Sequence, residues 1–200
     1  MGEFESTKAI QSVLPNCVPN PIAWGTYAED QNVHFLLMEF VDMKPEPLGI
    51  EQFTRMLTDL HTKGVSPNGN YGFHVPTFQG ALKQPNTWTA SWETFFTKMY
   101  ERAFDWEQSV RGEDEEMQVL CRGMIENVIP RLLRPLETGG NEITPRLLHG
   151  DIWYGNSAMN AVTGTPLMFD ASSFYGHNEC KIMFEWNLDR FSQTLGISPC

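Results

Sequence analysis

The chain has 200 residues, 41% of them apolar, 20% charged and 12% aromatic, with a formal net charge of −11. That composition can bury a core and excludes an intrinsically disordered chain. The 14 Lys and Arg are scattered singly against 25 Asp and Glu, which leaves no basic face for nucleic acid or an anionic membrane.

Residues 2–14, "GEFESTKAIQSVL", set Phe4, Ile10, Val13 and Leu14 among polar positions and predict an amphipathic helix that Pro15 stops. The Pro-punctuated "VPNPIAWGTY" enters a short strand, and residues 29–32 read as a hairpin loop. "VHFLLMEFV", residues 33–41, is a continuous apolar run and predicts a buried strand. Two prolines in "DMKPEPLG" make 42–49 a linker and a lobe boundary. Ile50, Phe53, Met56, Leu57 and Leu60 recur at helical spacing up to Gly64, a suitable helix end. Residues 65–90 are rich in Gly, Pro and Asn and predict an ordered loop. Residues 88–110 form a long aromatic helix capped by Ser91 or Thr89, and an acid-led helix runs from Asp114 toward Pro130. Leu147-Leu148 and 166–170 read as short strands around a polar loop. The order of elements gives an α+β fold with segregated parts rather than βαβ alternation.

The cysteines Cys17, Cys121, Cys180 and Cys200 form no CxxC and signal neither a metal site nor a disulfide framework. With no secretory signal and no apolar run of membrane-spanning length, the expected setting is a reduced, cytoplasmic one without a membrane partner. Oligomeric state leaves no mark in the sequence.

The densest chemistry lies in "PRLLHGDIWYGNSAMN", residues 145–160. Phosphoryl transfer from ATP needs a carboxylate to take the acceptor proton, and Mg²⁺ held by oxygen ligands from an Asn and an Asp. Asp151 and Asn156 stand five apart on one loop, in the kinase arrangement of base and metal ligand. Asp170 follows at the end of an apolar strand reached through the turn "NAVTGT", so one hairpin brings all three together. Upstream, the end of strand 33–41 looks like a kinase hinge, with the backbone of Glu39 and Val41 bonding adenine and Met38 lining the pocket. Glu3, on the first helix, is placed to pair with a phosphate-holding lysine. Turn and cap roles for Asp151, Asn156 and Asp170 are the alternative.

"LLHGDIWYGN" and "LMFDASSFYGHNE", with "YGFHV" and "WTASWETFF", resemble the fructosamine-3-kinase and ketosamine-3-kinase family, a branch of the aminoglycoside-phosphotransferase-like kinases. "GEFESTKAI" and "VIPRLLRPLE" are similar to its fungal protein-ribulosamine 3-kinases. The resemblance implies a protein-kinase-like bilobal fold: a truncated N-lobe over 1–41, a hinge at 42–49, and a mostly helical, C-terminally shortened C-lobe over 50–200. It implies ATP-dependent phosphorylation of the 3-hydroxyl of ketosamines on protein lysines, or of small ketosamines, which frees the amine. Asp151 then matches the catalytic base, Asn156 and Asp170 the metal ligands, His149 the brace of the loop, and Glu3 the helix glutamate. Trp153, Phe174, Tyr175 and His177 would border the sugar; His61 and His74 take structural roles.

The chain departs from that pattern at both ends. A Gly-rich strand-turn-strand and a strand lysine are expected ahead of the Glu3 helix, further helices after "FYGHNE", and an acid at Lys181. The resulting expectation is a weakly active or inactive form. Two alternatives remain open: a phosphotransferase for a small alcohol or amine, such as an aminoglycoside or choline, and a non-catalytic binding protein.

Overall fold

The computed structural model describes residues 1–44 and 46–180; the expectation for Lys181 falls outside them. Helix α1 (Gly2–Val13) ends just ahead of Pro15 and buries Ser6, Thr7 and Ile10 on one face. It packs against an antiparallel hairpin of β1 (Pro21–Thr26) and β2 (His34–Met38), in which Trp24 pairs with Leu36 and Thr26 with His34. The buried nine-residue strand expected over 33–41 is therefore five residues long. Its apolar side chains stay largely in solvent, with Leu37 50% and the following Phe40 91% exposed. A two-stranded ribbon has too few neighbours to cover both faces, whatever the apolarity of its sequence.

The expected linker contributes a strand. β3 (Met43–Lys44) pairs with β7 (Ser157–Asn160), which in turn pairs with β8 (Pro166–Met168), in the order β3-β7-β8. Helix α2 (Ile50–Lys63) buries Phe53, Met56 and Leu60, the spacing seen in the sequence. Gly64 caps it at φ −83, so it is not there for a left-handed turn. A Cβ on Gly64 would lie 2.7 Å from that of Leu147, and the Gly64 carbonyl accepts the Leu147 amide at 2.6 Å. Gly64 thus lets β6 (Arg146–Leu148) close against the helix end.

Within 65–90 the chain is ordered as expected and adds a small hairpin, β4 (Phe78–Gln79) with β5 (Leu82–Lys83). Helix α3 (Trp92–Arg111) is capped by Ser91, whose hydroxyl accepts the Thr94 amide. The Glu137 carboxylate takes the Trp92 and Glu93 amides at 2.6 and 3.1 Å, leaving few orphan donors at that terminus. Helix α4 (Glu115–Gly123), capped by Asp114, continues through a π turn (Met124–Val128) into α5 (Ile129–Leu133). Pro130 has no N–H for the carbonyl four residues back, and the ladder widens there. Finally β9 (Phe174–Gly176) pairs antiparallel with β6, Leu148 opposite Phe174. Trp92, Phe95, Phe174, Leu147 and Leu60 are nearly or fully buried where α2, α3 and the β6–β9 pair meet. Every strand pairing among the described residues is antiparallel, so helices and strands are mixed without a βαβ unit. Among these residues no helix is long and apolar enough to cross a membrane.

His61 of α2 tunes stability to pH. Burial lowers its imidazole from 6.5 to about 4, and the Arg146 guanidinium adds to the drop. Between those values the unfolded chain binds the extra proton, so stability is lost as pH falls from 6.5 toward 4. After allowance for the ring's partial exposure, the loss is expected to reach about 2 kcal/mol. Urea midpoints measured across that range should fall, and His61→Gln should flatten the slope.

Candidate functional site

β6 delivers His149, Gly150 and Asp151 to a loop, and a 3₁₀ turn (Tyr154–Asn156) returns it into β7. His149 is 1% exposed. Its Nε2 faces the Phe169 carbonyl at 3.0 Å and its Nδ1 faces the Asp151 amide at 3.3 Å. A carbonyl can only accept and an amide only donate, so the proton sits on Nε2. One ring thus ties the residue before Asp170 to Asp151 itself. Asn156 is buried, and its Nδ2 donates to the Asp151 carbonyl at 2.8 Å and lies 3.5 Å from Asp151 Oδ2. That bond fixes the amide's orientation and leaves Oδ1, the atom a hard cation would use, as the free end of the side chain.

The β7–β8 hairpin brings Asp170 to the same place. Asn160 Oδ1 accepts the Val162 and Thr163 amides at 2.9 Å each, closing the turn seen in the sequence. Ser157 then pairs with Met168, and the Phe169 amide reaches the Asn156 carbonyl at 3.1 Å. Asp170 follows at φ 57, the one non-glycine residue with positive φ among the described residues. Asp151, Asn156 and Asp170 therefore converge, and their donors are all oxygen. Among the described residues no cluster of three or more His, Cys, Asp and Glu could hold a metal ion. An amide oxygen and a carboxylate suit Mg²⁺, which keeps positions for phosphate oxygens and water. The residues present fit that ion.

Glu3 faces the same centre from α1. Burial lifts its carboxyl above the ordinary glutamate range, the Asp170 carboxylate raises it further, and the N-terminal amine pulls it back. Among the described residues no lysine makes an ion pair with it.

The remaining sequence candidates divide. Met38 ends β2, half-buried opposite Pro21. The Glu39 amide donates to the Asn20 carbonyl at 2.9 Å and its carboxylate accepts the Asn20 amide, so only its carbonyl side remains for a ligand. Val41 lies half-buried just ahead of β3. Trp153 is 37% exposed beside Asp151, edge-on to Tyr154 at 4.7 Å, a neighbour that the sequence reading passed over. Phe174 is a correction: it is 0% exposed and packs on Phe95 at 5.5 Å, so its ring cannot border a sugar. Tyr175 alternates to the other face of β9, where Trp88 stacks on it at 5.9 Å, and His177 stands 6.1 Å from Trp92. The structure does not gather Tyr175 and His177 with Trp153. A cleft of about 580 Å³ is lined by Phe73, His74, Lys83, Trp88 and Arg102 among others, and by none of Asp151, Asn156 or Asp170.

The chain is 31% identical over 186 residues to the chloroplastic protein-ribulosamine 3-kinase of Oryza sativa subsp. japonica, covering 92% of this chain and 51% of that protein. It is 29% identical over 216 residues to ketosamine-3-kinase of Mus musculus, covering 96% of this chain and 66% of the mouse protein. It thus spans from about half to about two thirds of these relatives' length. Among solved structures, one named as a fructosamine-3-kinase from Thermobifida fusca superposes with a TM-score of 0.67 at 22% identity. Another so named, from Haemophilus somnus, gives 0.60 at 20%. Each match covers 98% of this chain and 66% of the other, and at such identity it speaks for the fold. A sequence model described as fructosamine kinase matches residues 1–195, and the chain belongs to that family.

Proposed function

We propose that this chain carries the catalytic loop and acceptor side of an ATP-dependent kinase that phosphorylates the 3-hydroxyl of ketosamines, ribulosamine or fructosamine, on protein lysines. The observation that carries the reading is that Asp151 and Asn156 share one loop, and that the β7–β8 hairpin and the Phe169–Asn156 bond set Asp170 beside it. In this reading residues 1–41 belong to a nucleotide-covering lobe, 42–49 to the hinge and 50–200 to the acceptor lobe.

Asn156 Oδ1 and the Asp170 carboxylate would hold Mg²⁺, which when bound offsets the charge of the phosphate oxygens. Asp151 accepts the proton of the sugar hydroxyl as its oxygen attacks the γ-phosphorus and the bond to ADP breaks. His149 and Asn156 hold Asp151 by its amide and carbonyl, and only the long 3.5 Å contact from Asn156 Nδ2 touches its carboxylate, at Oδ2. The Glu39 carbonyl and Val41 amide offer an adenine edge, with Met38 beside it. Trp153 offers an apolar face for the C–H groups of the sugar.

A thermal melt with Mg·ATP tests the nucleotide half of this reading. At about a hundredfold excess over Kd, ligand linkage of about 2.7 kcal/mol should raise the midpoint by about 5–10 °C. Asp170→Ala should abolish the rise. No rise in the parent would favour a second reading, a non-catalytic binding protein.

A further inference from the structure

We propose that the β4–β5 arm is the positioning element of the site, with Gln84 as the residue that sets Asp170; the proposal rests on the phosphoryl-transfer reading above. A left-handed aspartate persists only where its flanks over-determine it. On the N-terminal side Phe169 is held by Asn156 and His149. On the C-terminal side the Ser172 amide donates to the His149 carbonyl at 2.9 Å. Everything else there comes from the arm and from α1. Gln84 Nε2 donates to the Ser172 carbonyl at 2.7 Å, Thr77 Oγ1 to the Ser173 carbonyl at 3.3 Å, and the Ser173 amide to Ser6 Oγ at 2.9 Å. At the arm's tip Gln79 Nε2 donates to the carbonyl of Gly150, the residue before Asp151. One hairpin therefore grips both loops of the site.

The arm is itself rigid at that point. Thr77 Oγ1 accepts Gln84 Nε2 at 3.2 Å and Asn86 Nδ2 at 2.7 Å, and the Gln84 amide donates to the Thr77 carbonyl at 2.9 Å. Thr77, Gln84 and Asn86 are 1%, 5% and 7% exposed. Both protons of the Gln84 amide are used, one on Thr77 and one on Ser172, a fork that no apolar or singly donating side chain reproduces. Gln84 Oε1, Asn86 Oδ1, Ser172 Oγ and Ser173 Oγ are buried here with no hydrogen-bond partner among the described residues. An apolar seam would be more stable. What the polar seam adds is direction: Gln79, Gln84 and Thr77 each place a donor on a backbone carbonyl next to Asp151 or two to three residues beyond Asp170.

The test uses the full chain with Gln84→Met, which keeps length and loses both donors, and Thr77→Val, which keeps shape should the first fail to fold. Amide-resolved hydrogen exchange is expected to quicken at least tenfold at Ser172 and Ser173, with α2 amides unchanged. Mn²⁺ with ATP is expected to broaden the Asn156 and Ala171 resonances of the parent, at about tenfold higher concentration in the variants. Exchange unchanged at Ser172 and Ser173, or raised equally in α2, would overturn the brace. Altered exchange with an unaltered Mn²⁺ requirement would reduce the seam to a structural role and overturn the proposal. No Mn²⁺ broadening in the parent would instead sink the reading of Asp170 as a ligand, and the positioning role with it.

Discussion

Asp151→Asn is expected to lower ketosamine phosphorylation by about a thousandfold, equivalent to about 4 kcal/mol of transition-state stabilisation. The substitution is isosteric, and the shorter bonds that hold the residue are to its backbone, its amide on His149 Nδ1 and its carbonyl on Asn156 Nδ2, with only a 3.5 Å contact at Oδ2. The loop should therefore keep its shape, and the urea midpoint should stay within about 0.5 kcal/mol of the parent. An amide cannot take the acceptor proton at neutral pH, so the loss should fall on kcat with KM little changed. Quantifying the sugar phosphate formed from a synthetic ribulosamine, parent against variant, checks this. A variant within tenfold of an active parent would remove Asp151 from the role of base and leave only alignment by Asn156 and Asp170.

Much of this centre was legible because its chemistry is local. An aspartate and an asparagine five apart, then an apolar strand ending in an acid, fall on one loop and one hairpin, and the β7–β8 pairing follows from the turn residues. The contacts that brace it are long-range. Gln79, Gln84, Thr77 and Ser6 meet their partners 71, 88, 96 and 167 residues away. No periodicity marks a buried amide, and a segment rich in Gly, Pro and Asn reads as a loop whether or not it grips anything. β3 is two residues long and carries no pattern, so its pairing with β7 could not be read from 42–49. Apolarity in 33–41 announced a strand but not whether anything would cover it, and Leu37 and Phe40 stand in solvent. Motif proximity drew Phe174 toward the sugar; strand alternation sends it to the core and Tyr175 to the opposite face.

Gly150→Ala should be among the most destabilising single substitutions in the chain, and it separates two reasons for a glycine. Gly150 sits at φ 86, and a Cβ there would overlap the Ser172 carbonyl oxygen and stand 2.5 Å from the carbonyl carbon and 2.8 Å from Ser172 Oγ. Gly164, in the β7–β8 turn, has φ 70 with nothing within 4 Å of a Cβ. Left-handed strain alone should cost Gly164→Ala about 1 kcal/mol. Gly150→Ala bears that strain and must also push the 171–173 segment away from the loop that carries Asp151. The Ser172–His149 bond and the Gln84 bond to the Ser172 carbonyl would both open, with their groups left buried. Two such losses add about 1–3 kcal/mol each, which brings the expected total to about 3–7 kcal/mol. Urea unfolding of the two variants side by side reads the difference directly. Equal costs would mean that the backbone relaxes freely here and that the close approach of the two loops does not set the site. A large gap, with Mg·ATP stabilisation lost only in Gly150→Ala, would mean that the contact between Gly150 and Ser172 is what holds Asp151 and Asp170 at a common centre.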